Sequence, residues 1–285
     1  MKLKIIDIND EIYPEKLKEI KNPPKKLYLL GNEKTLEDTS IAIIGSRCYT
    51  EYGKEYATKF AKELAKQGIS IICGMALGID AFSHKGALSV GGNTIAVLGS
   101  GFNYIYPEEN KELFNEIILN NGTIISEYEP DTIPNSKNFP QRNRIVSGLS
   151  SGVLVIEAVY RSGTSITANL AKEQGKPVFC IPSNLGRKNG VGTNNLIKEG
   201  AKLVTDIDDI LKYLNVKRKQ EKVERQIPSE YMQIYKAIDD EPTNINVICK
   251  KLKTNISQIN ASLMLMELEG YIKLMPGNNY KRMIN

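Results

Sequence analysis

Between residue 40 and about residue 214, short apolar runs alternate with helix-patterned segments, and this alternation leaves few folds open. SIAIIG (40–45), ISIICG (69–74), TIAVLG (94–99), TIISE (123–127), GVLVIEA (152–158), PVFCIP (177–182) and AKLV (201–204) read as strands. The segments between them read as helices over 54–67, 79–90, 109–120, 138–149, 164–175 and 193–199. Strands that are apolar along their whole length must be covered on both faces. Regular crossover helices supply that cover, so the class is α/β: a Rossmann-like, doubly wound, mostly parallel sheet over residues 39–214.

The flanks differ. Residues 1–38 read as an irregular arm, with NPPKKLYLLGN extended. Residues 215–227 are polar and charged and read as a linker, or as a helix. Residues 228–285 hold three helical patterns and then YIKLMPGNNYKRM, a hairpin pattern around Pro276-Gly277. Three short helices followed by a hairpin is the layout of a winged helix. Gly270 stops the third helix. The four cysteines are far apart with no CxxC pair, and there is one histidine, which leaves no ligand set for structural zinc. Three of them sit in or beside apolar runs, as free thiols of a reducing compartment do. No signal-peptide core and no membrane-length apolar run is present, so a cytoplasmic protein without a membrane span is expected.

In a doubly wound sheet, ligands bind beyond the carboxyl ends of the strands. Three segments sit there. Gly45-Ser46-Arg47 offers flexible backbone, a hydroxyl and a guanidinium. NFPQRNRIVSGL (138–149) begins with a capping-box pattern, Asn138 and Gln141, yet places Arg142 and Arg144 near the positive end of its own helix dipole. Ser162-Gly163-Thr164 offers hydroxyls and free N–H groups at a helix start. A phosphate shared by the three loops would make the arginines favourable. For a single arginine, pairing of Arg142 or Arg144 with Glu127 or Glu157 accounts for the sequence as well. Arg142 shares a helix face with Val146 and Leu149 and should stand at the rim of the core. Phe139, beside these cations, can stack on a base or staple the helix start. GSGFNY (99–104) lacks the third glycine of a dinucleotide fingerprint. His84, one turn after Asp80, reads as a hydrogen-bonded structural histidine or, paired with Asp80, as a catalytic one.

GSR, GMALGIDAFSHKGAL, TIAVLGSGFNYIYPEEN, GTIISEYEP, NFPQRNRIVSGLSSGVLVIEA, SGTSITANLAKEQGKPVFCIP and GTNNLIKEGA occur in this order. The set resembles the DNA-processing protein A family (DprA/Smf) over about residues 10–210. The resemblance implies a protein that binds single-stranded DNA without catalysis and without a cofactor. It would protect incoming strands during natural transformation, help load the recombinase RecA, and form a homodimer through its Rossmann-like domain. Arg47 would carry the phosphate, with contacts from Phe139, Arg142 and Asn143. The chain departs from the family in two places: about 38 residues before the sheet leave no room for a full sterile-alpha-motif-like domain, and Ile-Pro-Ser stands at 181–183 where Ile/Val-Pro-Gly is usual. Two other classes remain. A phosphoribohydrolase-like enzyme would need a glutamate after Gly-Thr, which RSGTSITA lacks. A ligand-sensing transcription regulator would need base-reading side chains on its third helix, where only Ser257, Gln258 and Asn260 qualify.

Overall fold

The apolar runs converge on one nine-stranded sheet in the computed structural model, which describes residues 2–160, 162–219, 227–239 and 241–283. Its strands are β1 (Lys4–Asp7), β2 (Lys26–Gly31), β3 (Ser40–Ile44), β4 (Ser70–Cys73), β5 (Thr94–Val97), β6 (Thr123–Ser126), β7 (Val153–Val155), β8 (Val178–Cys180) and β9 (Lys202–Leu203). They lie in the order β1-β2-β6-β5-β4-β3-β7-β8-β9. From β6 to β9 every pairing is parallel. The helices are α1 (Glu15–Lys18), α2 (Glu51–Lys66), α3 (Ile79–Leu88), α4 (Lys111–Leu119), α5 (Asn138–Leu149), α6 (Gly163–Glu173), α7 (Val191–Lys198) and α8 (Ile207–Tyr213).

Alternate residues of each strand serve opposite faces. On β3, Ala42 and Ile44 join a core with Val146 and Leu149 of α5 and Ala168 of α6. Ile41 and Ile43 join one with Phe60 and Leu64 of α2 and Ile79 of α3. Burying each of the larger side chains, such as Ile41, Ile43 and Leu64, contributes about 1.5–3 kcal/mol, which is why β3, apolar on both sides, sits mid-sheet.

Residues 1–38 are not the irregular arm that the sequence suggests. β1 and β2 form an antiparallel pair, and β2 continues antiparallel onto β6 with Tyr28 opposite Ser126. Leu27 and Leu29 are fully buried. The apolar run Leu27–Leu30 stands outside the strand–helix alternation that marks the other strands, and the edge of β6 pairs it into the sheet. Helix α8 likewise has no counterpart in the sequence reading. Its Asp206 cap and its buried Ile207, Ile210 and Leu211 hold it to the α2 face.

The chain divides into two compact units, Met1–Arg218 and Lys219–Asn285. Most of the expected linker, residues 220–226, lies outside the described residues. The second unit contains α9 (Met232–Ala237), β10 (Thr243–Asn244), α10 (Ile245–Leu252), α11 (Ile256–Leu268), β11 (Ile272–Met275) and β12 (Asn279–Arg282). β11 and β12 form the expected hairpin, and β10 pairs with β12. Gly270 ends α11 with a φ of 76°, a left-handed position.

Candidate nucleic-acid interface

From β3 the chain advances through β4 and β5 to β6 on one side, and from β7 through β8 to β9 on the other. The segments leaving the carboxyl ends of β3 and β7, adjacent in the sheet, therefore diverge and leave a crevice. A cleft of about 980 Å³ occupies this switch point. Nine of the ten residues singled out in the sequence line it: Gly45, Ser46, Arg47, Phe139, Arg142, Asn143, Ser162, Gly163 and Thr164. Asp80, Tyr106, Lys188 and Asn189 complete much of the wall.

Gly45-Ser46-Arg47 follows β3 directly, and the GMALG turn after β4 braces it. Gly78 has a φ of 78°, and a Cβ there would come 2.5 Å from the Ser46 carbonyl oxygen. Only glycine fits so close with that backbone. Ser46 Oγ donates to the Cys48 carbonyl at 2.8 Å, curling the loop so that Arg47 is exposed to the cleft. Arg47 makes no ion pair with any described residue. Its guanidinium stands 5.5 Å from the centre of the Phe139 ring. The Tyr106 ring lies 5.4 Å from Phe139, tilted by 32°. A cation and two aromatic rings thus share one wall.

Helix α5 spans Asn138–Leu149 as expected, but Asn138 is its first helical residue rather than its cap, so the capping box does not form. The cap position is Lys137, without a side-chain bond. Asn135 prepares the helix start instead: its Oδ1 accepts from Lys137 N at 3.0 Å, closing a turn that leads the backbone into the helix.

The two arginines of α5 diverge. Arg142 is buried beneath the cleft. Its Nη1 donates to the carbonyl oxygens of Gly74 and Val97, at the ends of β4 and β5, and its Nε donates to Asn143 Oδ1 at 3.2 Å. Nη2 is the guanidinium nitrogen without a protein partner among the described residues. Burial pushes its pKa down to about 10, opposed chiefly by Asp80, so it remains charged at neutral pH. Asp80 accepts from Gly74 N at 2.8 Å and Ala76 N at 3.3 Å, and burial raises its pKa against the pull of Arg142. Arg144 is a correction to the expected site. It does not line the cleft; its two terminal nitrogens each meet Glu127 at 2.6 Å, and its Nε donates to the Asn22 carbonyl. Two residues along a helix turn a side chain through about 200°, so Arg142 and Arg144 cannot serve one face.

The start of α6 forms the third wall. Ser162 occupies the cap position with extended backbone, yet its hydroxyl caps nothing and is buried without a partner among the described residues. Such a group calls for a ligand or water. The first N–H groups of α6 also lack helical acceptors. Glu157, at the end of the β7 run, is fully engaged by Thr50 N, Thr50 Oγ1 and Asn189 Nδ2.

His84 is structural. Thr94 Oγ1 gives its proton to the Ile71 carbonyl, so it accepts from His84 Nδ1–H at 2.7 Å. Nε2 is left buried without a partner, and burial pushes the His84 pKa down to about 3. The side chain does not bond to Asp80, which faces the Gly74 backbone instead. No residue of the GSGFNY loop lines the cleft; Ser100 Oγ closes the loop onto the Tyr104 carbonyl. In the second unit, Gln258 is taken up by a capping box with Asn255, Lys251 pairs with Asp239, and Arg282 donates to the Tyr235 carbonyl. Those side chains are not free to read bases. Among the described residues no cluster of histidine, cysteine or carboxylate side chains could hold a metal, and no helix is long and apolar enough to cross a membrane.

Sequence reasoning missed Tyr106, Lys188 and Asn189. Lys188 sits in a polar Gly-flanked loop, NLGRKNG, that matches no phosphate motif, and only the fold carries it to the cleft.

The family model described as DNA recombination-mediator protein A matches residues 4–215, and that of the DprA winged helix domain matches residues 219–278. The chain belongs to the DNA recombination-mediator protein A family. Protein Smf of Escherichia coli is 35% identical over 96% of this chain and 76% of its own length. DNA processing protein DprA of Streptococcus pneumoniae is 42% identical over 72% of each. The X-ray structure of the S. pneumoniae DprA superposes with a TM-score of 0.70 at 39% identity, over 74% of each chain. A structure of DNA processing protein A from Helicobacter pylori, described for its single-stranded DNA binding mode, superposes with a TM-score of 0.67 at 36% identity, covering 74% of this chain and 96% of that one. The resemblance drawn from the ordered motifs over about residues 10–210 therefore holds, and the winged helix match covers the second unit separately.

Proposed function

We propose that the switch-point cleft binds single-stranded DNA without chemical conversion, with Arg47 and the α6 start holding phosphates and Phe139 receiving a base. One observation carries the reading: three loops from separate strands bring an unpaired arginine, an orphaned serine hydroxyl and an adjoining aromatic pair into one cleft. A single strand exposes both phosphates and base faces, and needs cations and aromatic platforms together. The relatives named for DNA processing and for single-strand binding support it. The cleft's one described carboxylate, Asp80, accepts from backbone N–H groups rather than facing a reactive centre, which supports binding without acid–base catalysis. In the cell, such a protein would coat incoming strands in the cytoplasm, act as a homodimer and deliver the strand to RecA. Gel shifts with single strands and with blunt duplexes of equal length test it. Single strands should bind far more tightly with little sequence preference, and equal affinity for the duplex would refute it.

A further inference from the structure

A second cavity, of about 480 Å³, adjoins the central cleft. The two share Lys188 and Asn189 as lining residues, so one loop forms the partition between them. Tyr52, Ser183 and Arg187 belong to the second cavity and not to the first.

The partition is a built element rather than a loose loop. Asn189 Nδ2 donates to the Cys48 carbonyl at 2.6 Å, tying it to the Gly45-Ser46-Arg47 loop, and reaches Glu157 at 3.4 Å. The Asn189 carbonyl accepts from Ala158 N at 2.8 Å. On the far side, Asn194 clasps Ser183 through both its backbone N–H and its carbonyl, at 3.1 and 2.8 Å. Gly190 lets Ser183 close on it: a Cβ there would come 2.0 Å from the Ser183 hydroxyl. Two cations stand on this frame. Arg187 and Lys188 are exposed, and neither makes an ion pair with a described residue. Among the described residues, Glu157 is the one carboxylate lining the cavity, and it spends its oxygens on Thr50 and Asn189. The cavity therefore offers a guanidinium and an ammonium toward solvent, a pair suited to an anion such as a phosphodiester.

We propose that this cavity is a second phosphate subsite, which takes the backbone of a single strand where it leaves the central cleft across the Lys188–Asn189 partition. The inference rests on the single-strand reading above. Strand length is the variable that separates the two. A short strand fills the central cleft alone; a longer one must cross the partition and meet Arg187.

Fluorescence anisotropy with oligothymidylates of about six and about sixteen nucleotides tests this, on the wild-type full-length protein and on Arg187→Ala and Arg187→Glu, each checked by thermal melting. Arg187→Ala should leave the short strand's affinity unchanged and weaken the long strand roughly tenfold, the scale of one charged hydrogen bond. On the long strand alone, the salt slope should fall by about 0.7. Arg187→Glu should deepen the loss with the same length dependence. Equal losses on both lengths would mean a diffuse field effect and overturn the subsite, and so would no loss on either. If the wild-type protein binds neither strand, the single-strand reading falls as well; if it binds both while Arg187 variants change nothing, only the subsite falls.

Discussion

Replacing Arg47 by alanine isolates the charge of the central cleft. The side chain is exposed and pairs with no described carboxylate. Its one marked contact is with the Phe139 ring at 5.5 Å, worth about 0.5–1 kcal/mol at an exposed site. The folded state should therefore lose little, and the melting temperature should barely move. Binding should lose far more. A charged hydrogen bond to a phosphate contributes about 1.5–3 kcal/mol, or roughly ten- to a hundred-fold in affinity. The plot of log affinity against log salt should also flatten by about 0.7, the contribution of one neutralised phosphate on a single strand. Phe139→Ala should lose about 1–3 kcal/mol of stacking and leave the slope unchanged. Because the guanidinium rests on the ring, the two losses should not add. A double-mutant cycle should show coupling of about 0.5–1 kcal/mol. Affinities measured by anisotropy at several salt concentrations, beside melts of each variant, supply every quantity. A well-folded Arg47→Ala protein with wild-type affinity and slope would refute the phosphate assignment.

Three other outcomes follow from the buried groups. Arg142→Ala strips partners from the Gly74 and Val97 carbonyls and from Asp80 at once, so it should cost about 3–5 kcal/mol of stability in denaturant titrations, with Arg142→Lys rescuing little. Glu127→Gln should break the Arg144 pair and lower the melting temperature while leaving the salt slope of DNA binding untouched, since Arg144 lies outside the cleft. His84 is held neutral with a pKa near 3 in the folded protein against about 6.5 unfolded. The unfolded chain binds the proton first, so stability should fall as pH drops from about 6.5 toward 3, by up to about 1.4 kcal/mol per unit; His84→Gln should flatten that limb in melts at stepped pH.

The strand runs from β3 to β9, the α5 span 138–149 and the three helices and hairpin of the second unit were legible in the sequence. Each depends on periodic apolar residues that are close together in the chain. Nine cleft residues were legible too, because loops after strand ends carry ligands in any doubly wound sheet. Tertiary structure decided the rest. KLYLLG became a strand only because β6 offered an unpaired edge. Arg142 and Arg144 look equivalent in NFPQRNR, and the helix twist sends one beneath the cleft and the other to Glu127. Tyr106 lies inside the TIAVLGSGFNYIYPEEN motif but had no role read from it, and Lys188 comes from a loop with no motif of its own; the reversal of strand order between β3 and β7 brings both to the cleft. Local pattern fixes which residues form elements, since hydrogen bonding and side-chain period act over a few residues. Which elements become neighbours depends on apolar faces that meet only when distant segments pack, and a site built at such a meeting is written in no single stretch of the chain.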